Sequence, residues 1–274
     1  MKLAMSSWSY HWALSKGEMS QMDWLELCGE LGLNGVELLD IHFPSLSRRY
    51  LQSVSKACRR LHLEVAAVSV SNDFGLPEKS QRAANRKKVS QWIGLAQELG
   101  APVLRVFSGW PGVGNPLLYE RERGRLWPEM VGHLQALARE AKKAGIVLAL
   151  ENHNHNGFTR TADDILQILR EVNSEHLKVT LDTGDYLVDT PAWNGYPALE
   201  RVAFHAALVH AKLYEVDEDG KDLKQDYERI FDILTAAGYD GFLSMEYEGP
   251  ANEEAVPLAA GFLMGELKRR GLRG

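Results

Sequence analysis

Eight times along the chain a short β-prone run gives way to a longer segment of helical periodicity, and nothing else in the sequence constrains the fold as much. The runs are predicted at 2–7, 35–39, 63–69, 103–107, 146–151, 177–182, 207–213 and 241–246. The helices after them are predicted at 20–31, 47–61, 80–99, 120–144, 162–172, 196–204, 223–237 and 253–270. Gly32, Gly100, Gly145 and Gly238 close four of these helices just before the next strand, where a left-handed residue suits the helix end. Strict alternation calls for parallel strands with helices outside them, because a parallel connection needs a crossover. Eight units favour closure into a (β/α)8 TIM barrel, and no Gly-x-Gly-x-x-Gly follows the first strand to suggest a doubly wound sheet. The length of 274 residues fits a single domain over 1–274.

The longer insertions, 70–79, 108–119, 152–161 and 183–197, all follow strands, while the returns from helix to strand are short. Functional loops are therefore expected on one face, at the C-terminal ends of the strands. Four strands carry a potential metal ligand toward that face, in VLALE, VTLD, ALVHAK and FLSME: Glu151, Asp182, His210 and Glu246. Their spacings of 31, 28 and 36 residues each accommodate one strand, one loop and one helix. Residues two apart on a strand share a face, so if these four point inward, so do Ala149, Thr180, Leu208 and Ser244. Leu148, Leu150, Leu181 and Met245 would then face the helices, and the phases agree. Each of the four taken singly also reads as a satisfied barrel residue or a salt bridge at the rim. Three carboxylates and an imidazole converging together would repel one another unless a cation neutralised them. One divalent ion is expected, Mn²⁺ by the carboxylate-rich donor set, with Mg²⁺, Co²⁺ or Zn²⁺ as alternatives.

Other residues at the strand ends suit substrate contacts. Lys212 shares the face of His210 and suits a substrate oxygen, or a rim salt bridge with Glu215 or Asp217. His153 and His155 suit substrate hydroxyls, a second metal, or solvent. Glu37, followed by Asp40 and His42, suits hydrogen bonds to substrate oxygens. Arg105 suits a carboxylate or phosphate, or a structural pair with Glu37 or Glu151. Trp8, Trp12, Phe107, Trp110 and Trp193 fall at or beyond strand ends, where aromatic walls stack on a substrate's apolar faces or anchor loops. For Trp193 an anchor or subunit contact is the expectation.

Composition narrows the classes. A net charge of −6 argues against binding carried by nucleic-acid phosphates. No run of about 18 apolar residues is present to span a bilayer, and MKLAMSSWSYHW lacks the apolar core of a signal peptide, so a cytoplasmic location is expected. Cys28 and Cys58 fall in helical patterns without Cys-x-x-Cys spacing and read as buried structural thiols.

The motifs ENHNHNGF, LDTGDY, VHAKLY and SMEYEG, each after a predicted parallel strand, resemble the xylose-isomerase-like sugar phosphate isomerase/epimerase superfamily. That group includes ketose 3-epimerases, inosose dehydratases and endonuclease IV. The likeness extends over essentially the whole chain and is strongest from Gly145 onward. It implies that Glu151, Asp182, His210 and Glu246 bind one divalent cation, with Glu151 and Glu246 flanking the substrate and exchanging protons with its carbon. The implied enzyme is a metal-dependent isomerase or epimerase of a small sugar or related polyhydroxy carbonyl compound, acting through a metal-stabilised enediolate. A dehydratase of the inosose or dehydroshikimate type is the alternative. An endonuclease IV-like nuclease and a non-enzymatic sugar-binding barrel stand further off. Two departures from the ketose 3-epimerases weigh against that particular activity: Asp185, itself a candidate substrate contact, stands where they carry a substrate-binding His, and no Arg lies between His210 and Arg229. The expected partner is a carbohydrate-like small molecule, not nucleic acid or membrane, with homo-oligomers possible through the aromatic-rich loops.

Overall fold

Alternation along the strands sorts their side chains between two cores. Leu148, Leu150, Leu181 and Met245 join the large core between strands and helices, while Ala67, Val103, Ala149 and Leu208 form a separate apolar cluster inside the barrel. In the computed structural model, which describes residues 1–112, 116–153 and 156–272, eight parallel strands close into one barrel in sequence order. They are β1 (Lys2–Ser6), β2 (Gly35–Leu39), β3 (Glu64–Ser69), β4 (Val103–Val106), β5 (Val147–Glu151), β6 (Leu177–Asp182), β7 (Ala206–Leu213) and β8 (Phe242–Tyr247). Strand β8 closes on β1 with Leu243 beside Leu3 and Ser244 beside Ala4. Among the described residues no helix is long and apolar enough to cross a membrane.

The helices are α1 (His11–Lys16), α2 (Gln21–Glu30), α3 (Arg48–Arg60), α4 (Lys79–Leu99), α5 (Tyr119–Ala144), α6 (Ala162–Val172), α7 (Gly195–Ala203), α8 (Tyr227–Ala236) and α9 (Asn252–Arg269). Local chemistry sets several of their ends. Ser20 and Asp23 form a reciprocal capping box at the start of α2, and Thr161 and Asp164 repeat it at α6. Gly100 and Gly145 stop α4 and α5 at φ of 75° and 70°. Cys28 and Cys58 are buried free thiols, as their helical setting suggests.

Most elements fall within a residue or two of their expected limits, with two exceptions. The segment directly after β1, expected as loop, is helical: a 3₁₀ turn at Ser7–Tyr10, started by Ser6 accepting from the Trp8 amide, runs into α1. Conversely, 223–226 is not helix. The Asp222 carboxylate accepts from the amides of Tyr214, Lys224 and Gln225 and holds that stretch as a turn, and Asp226 then caps α8.

The loops after β3 and β4 are knotted together at the mouth of the barrel. Asn72 exchanges two hydrogen bonds with the backbone of Phe107, at 2.7 and 2.9 Å. Asp73 Oδ1 accepts from the amides of Gly75 and Trp110 at 2.7 and 2.9 Å. Gly109, at φ 102°, lets this happen, because a Cβ there would collide with Asp73 Oδ1 and with the amides of Phe74 and Gly75. Gly109→Ala is expected to destabilise the protein by roughly 1–3 kcal/mol, read as a lowered urea midpoint. An unchanged midpoint would show that the knot carries no stability.

Candidate metal centre

The inward-facing ladder brings the four ligand candidates to the same end of four adjacent strands. Asp182 on β6 lies beside His210 on β7, which lies beside Ser244 on β8, one inward step below Glu246. His210 Nδ1 is 3.5 Å from Glu151 Oε1, 3.6 Å from Asp182 Oδ2 and 3.6 Å from Glu246 Oε2. Ligands held about 2.0–2.2 Å from one ion stand roughly 3–3.6 Å apart, so each acid's separation from His210 suits a shared cation, and the potential ligand atoms gather as two trios that share His210, one with Glu151 and Asp182 and one with Glu37 and Glu246. All four residues are buried. Moreover the buried His210 Nδ1 makes no hydrogen bond, while Glu151 Oε2 and Asp182 Oδ2 meet the cations Arg105 at 3.0 Å and Lys212 at 3.3 Å; a bound cation would satisfy the imidazole nitrogen.

The other imidazole nitrogen explains the orientation. His210 Nε2 lies 3.1 Å from Glu37 Oε1, so an Nε2 proton donated to that carboxylate leaves the Nδ1 lone pair facing the three acids. Glu37 is fully buried and also accepts from the hydroxyls of Ser69 and Ser244. This corrects the expectation that Glu37 contacts sugar: both its oxygens are committed beneath the centre, and it positions His210. Asp40 and His42 are likewise turned away, Asp40 to Lys88 and Ser71, His42 to Ser7 and His11.

Charge accounting supports a divalent ion. Glu37, Glu151, Asp182 and Glu246 bring four buried carboxylates, against which stand the buried cations Lys212 and Arg105. Neutral His210 with a divalent cation brings the sum to zero. Burial by itself would raise Glu37, yet His210, Arg105 and Ser244 hold it at about 2. Burial also opposes ionisation of Glu151 and Asp182, but Arg105 with His210, and Lys212 with His210, keep both below the usual carboxylate range. Glu246 is raised by burial, with Glu37 and Glu151 adding to it against the pull of His210 and Lys212. Burial disfavours the His210 imidazolium, but Glu246, Glu37 and Glu151 more than offset it and raise its pKa well above normal. Proton and metal therefore compete for Nδ1.

Above the centre lies a cavity of about 440 Å³. Arg105, His153, Lys212, Trp8 and Trp110 line it with Glu151 and Glu246, as do Phe107 and Glu248. Lys212 Nζ pairs with Glu246 at 2.8 Å, Glu248 at 3.0 Å and Asp182 at 3.3 Å, rather than with Glu215 or Asp217. Arg105 pairs with Glu151 at 3.0 Å, the scaffolding partner foreseen for it, and stacks on Phe107. Asp185 is buried beside the cavity, its amide on Asp182 and its carboxylate 3.9 Å from His153 Nδ1. Burial and the neighbouring Asp182 raise its pKa well above normal. Trp12 is exposed outside this cavity, and exposed Trp193 lies under the Arg160 guanidinium. His155 lies outside the described residues. His62, His133 and His176 take no part in the cluster.

Sequence reasoning missed Glu248, Ser6 and Ser69. The signal for Glu248 was present, since it follows Glu246 by two and so faces inward. It accepts from Trp8 Nε1 at 2.5 Å and fixes that indole, while Ser6 donates to Glu246 at 2.9 Å.

Two outcomes follow. Glu37→Gln should weaken divalent-ion binding by roughly 10- to 100-fold without unfolding the chain, and in the wild type affinity should rise with pH as the Nδ1 proton is lost. Calorimetric titration with Mn²⁺ checks both, and unaltered affinity in the variant would separate Glu37 from the centre. His42 is held at about 4, from an ordinary 6.5, by burial and by His11. Between those values the unfolded chain binds a proton that the folded chain refuses, so stability falls as pH drops through the window, by up to about 3 kcal/mol. Urea denaturation at pH 7 and pH 5 should show a smaller pH difference in His42→Gln; an equal difference would assign the effect elsewhere.

Known proteins share this architecture. A curated L-ribulose 3-epimerase from Mesorhizobium japonicum is 24% identical over 222 residues, covering 77% of this chain and 71% of the relative. A 3'-dehydrocarminate deglycosidase alpha subunit from a Microbacterium species is 23% identical, covering 85% and 84%. Among solved structures, an L-ribulose 3-epimerase aligns with a TM-score of 0.78 at 22% identity, covering 98% of this chain and 96% of the other. The IolI protein with a bound zinc atom aligns at 0.76 and 16% identity, covering 98% and 99%. The sequence profile of the xylose isomerase-like TIM barrel family matches residues 25–264, and the chain belongs to that family.

Proposed function

We propose that this protein is a metal-dependent isomerase or epimerase of a small sugar or related polyhydroxy carbonyl compound. The observation that carries the reading is the meeting of Glu151, Asp182 and Glu246 around a partnerless His210 Nδ1 at the floor of a cavity. The likeness to sugar epimerases supports the substrate class. Glu151, Asp182, His210 and Glu246 would hold one divalent ion, Mn²⁺ by our reading of the donors, though a zinc-bound relative shares the fold. When bound, the ion supplies Lewis-acid stabilisation of charge developing on substrate oxygens.

The protein's own groups then divide the proton work. Glu151 is kept ionised by Arg105 and His210 and suits the base that removes a proton beside the carbonyl. Glu246, whose pKa burial raises, suits the group that returns one from the other side. Ser6 and Lys212 fix the two Glu246 oxygens, so its position is held through the transfer. Lys212 also brings positive charge toward the substrate, and Trp8 and Trp110 exclude water over the site.

Elimination from the same deprotonated carbon is a second reading, favoured by the likeness to a deglycosidase subunit. Deuterium uptake from solvent into a panel of ketoses, aldoses and inososes, followed with enone absorbance, separates stereochemical exchange from loss of a leaving group. Glu151→Gln and Glu246→Gln should each keep the fold and lower exchange by about 10²- to 10⁴-fold. Wild-type exchange in either variant would remove the two-carboxylate scheme.

A further inference from the structure

Glu248 lines the cavity two residues beyond Glu246 and has no part in the proton transfer itself. Its amide donates to the Leu213 carbonyl at 2.8 Å, so the end of β7 fixes where its side chain starts. The side chain is 33% exposed, against 5% for Glu246 and 0% for Asp182. Among the described residues Glu248 is therefore the only partner of the Lys212 ammonium that also reaches solvent.

One oxygen of Glu248 joins two elements. Oε1 accepts from Lys212 Nζ at 3.0 Å and from Trp8 Nε1 at 2.5 Å. The same ammonium donates to Glu246 Oε2 at 2.8 Å. The other Glu246 oxygen accepts from Ser6 Oγ at 2.9 Å, and Ser6 Oγ accepts in turn from the Trp8 amide at 3.3 Å. The hydrogen bonds thus run from Trp8 through Ser6, Glu246, Lys212 and Glu248 back to Trp8, a closed ring across the C-terminal ends of β1, β7 and β8.

A ring constrains its members more than the same bonds taken singly. An ammonium on a four-carbon stem has three donors and rotates readily among acceptors. Its backbone is already held, the Lys212 carbonyl accepting from Gln225 at 2.6 Å and from the Tyr227 hydroxyl at 2.5 Å, so the tip is what remains to be placed. Trp8 is braced on its other side, stacked on the His11 ring with centroids 4.2 Å apart.

We propose that Glu248 is a positioning residue of the proton-transfer site: by closing the ring it sets where the Lys212 ammonium sits against Glu246 and where the Trp8 indole stands beside them. The use made of Lys212 rests on the proton-transfer reading, whereas the ring rests on geometry alone.

The kinetic test uses the full chain loaded with Mn²⁺ and whichever sugar in a panel of ketoses, aldoses and inososes takes up solvent deuterium fastest. Glu248→Gln keeps the side chain's size and removes its charge. It should lower kcat by about 10- to 100-fold, as for loss of one hydrogen bond between charged groups, and leave KM within about twofold. In a Lys212→Met background the same substitution should change kcat by less than about twofold, because Glu248 acts through that ammonium. Equal falls in both backgrounds would make Glu248 merely structural and overturn the inference.

A second readout needs no turnover. On the Mg²⁺-loaded chain, the proton–nitrogen correlation signal of the Trp8 indole is identified by its loss in Trp8→Phe. It should move upfield in Glu248→Leu, and an unmoved signal there would equally overturn the ring. If no sugar of the panel exchanges, the proton-transfer reading fails, and the indole signal still decides whether Glu248 sets this wall.

Discussion

The structure turns on one nitrogen. His210 Nδ1 faces three buried carboxylates with its opposite edge tied to a fourth. Such a cluster cannot remain in a low-dielectric interior without compensating charge. Lys212 and Arg105 offset half of it, and the remainder is what a divalent ion neutralises. Glu37 matters here out of proportion to its distance from solvent, because it decides which imidazole nitrogen carries the proton and which offers its lone pair.

The barrel makes this possible by stacking layers along its axis. Small and apolar residues, Ala67, Val103, Ala149 and Leu208, fill the interior below. Above them Ser69, Ser244 and Glu37 form a hydrogen-bonded polar belt with His210 beside Ser244, and the cavity is lined by Glu151 and Glu246. Because strand side chains alternate, one phase determines all these layers at once. Leu208, His210 and Lys212 are one ladder; Ala149, Glu151 and His153 are another. A one-residue slip in either strand would turn its functional side chain into the helix layer and put leucine, valine or alanine in its place.

Much of this was legible from residue order. Eight alternating units identified the barrel, helix-closing glycines placed its turns, and the phase of Ala149, Thr180, Leu208 and Ser244 gave the inward direction of the four candidates. What was not legible depended on contacts between distant segments. Glu37 looks the same in sequence whether it points at substrate or at an imidazole, and only the approach of Ser69, Ser244 and His210, 32, 207 and 173 residues away, decides between them. Ser7–Tyr10 gave no periodic signal because its helical turn is short. The knot of Asn72 and Asp73 on the loop after β4 depends on a glycine conformation at Gly109 that propensity does not report.

Titration of chelator-stripped protein with Mn²⁺ in buffers of different ionisation enthalpy tests the centre most directly. The account predicts one ion per chain and, below the raised His210 pKa, release of about one proton per ion. No binding, several equivalent ions per chain, or binding without proton release would contradict the assignment of His210 Nδ1 as the shared ligand.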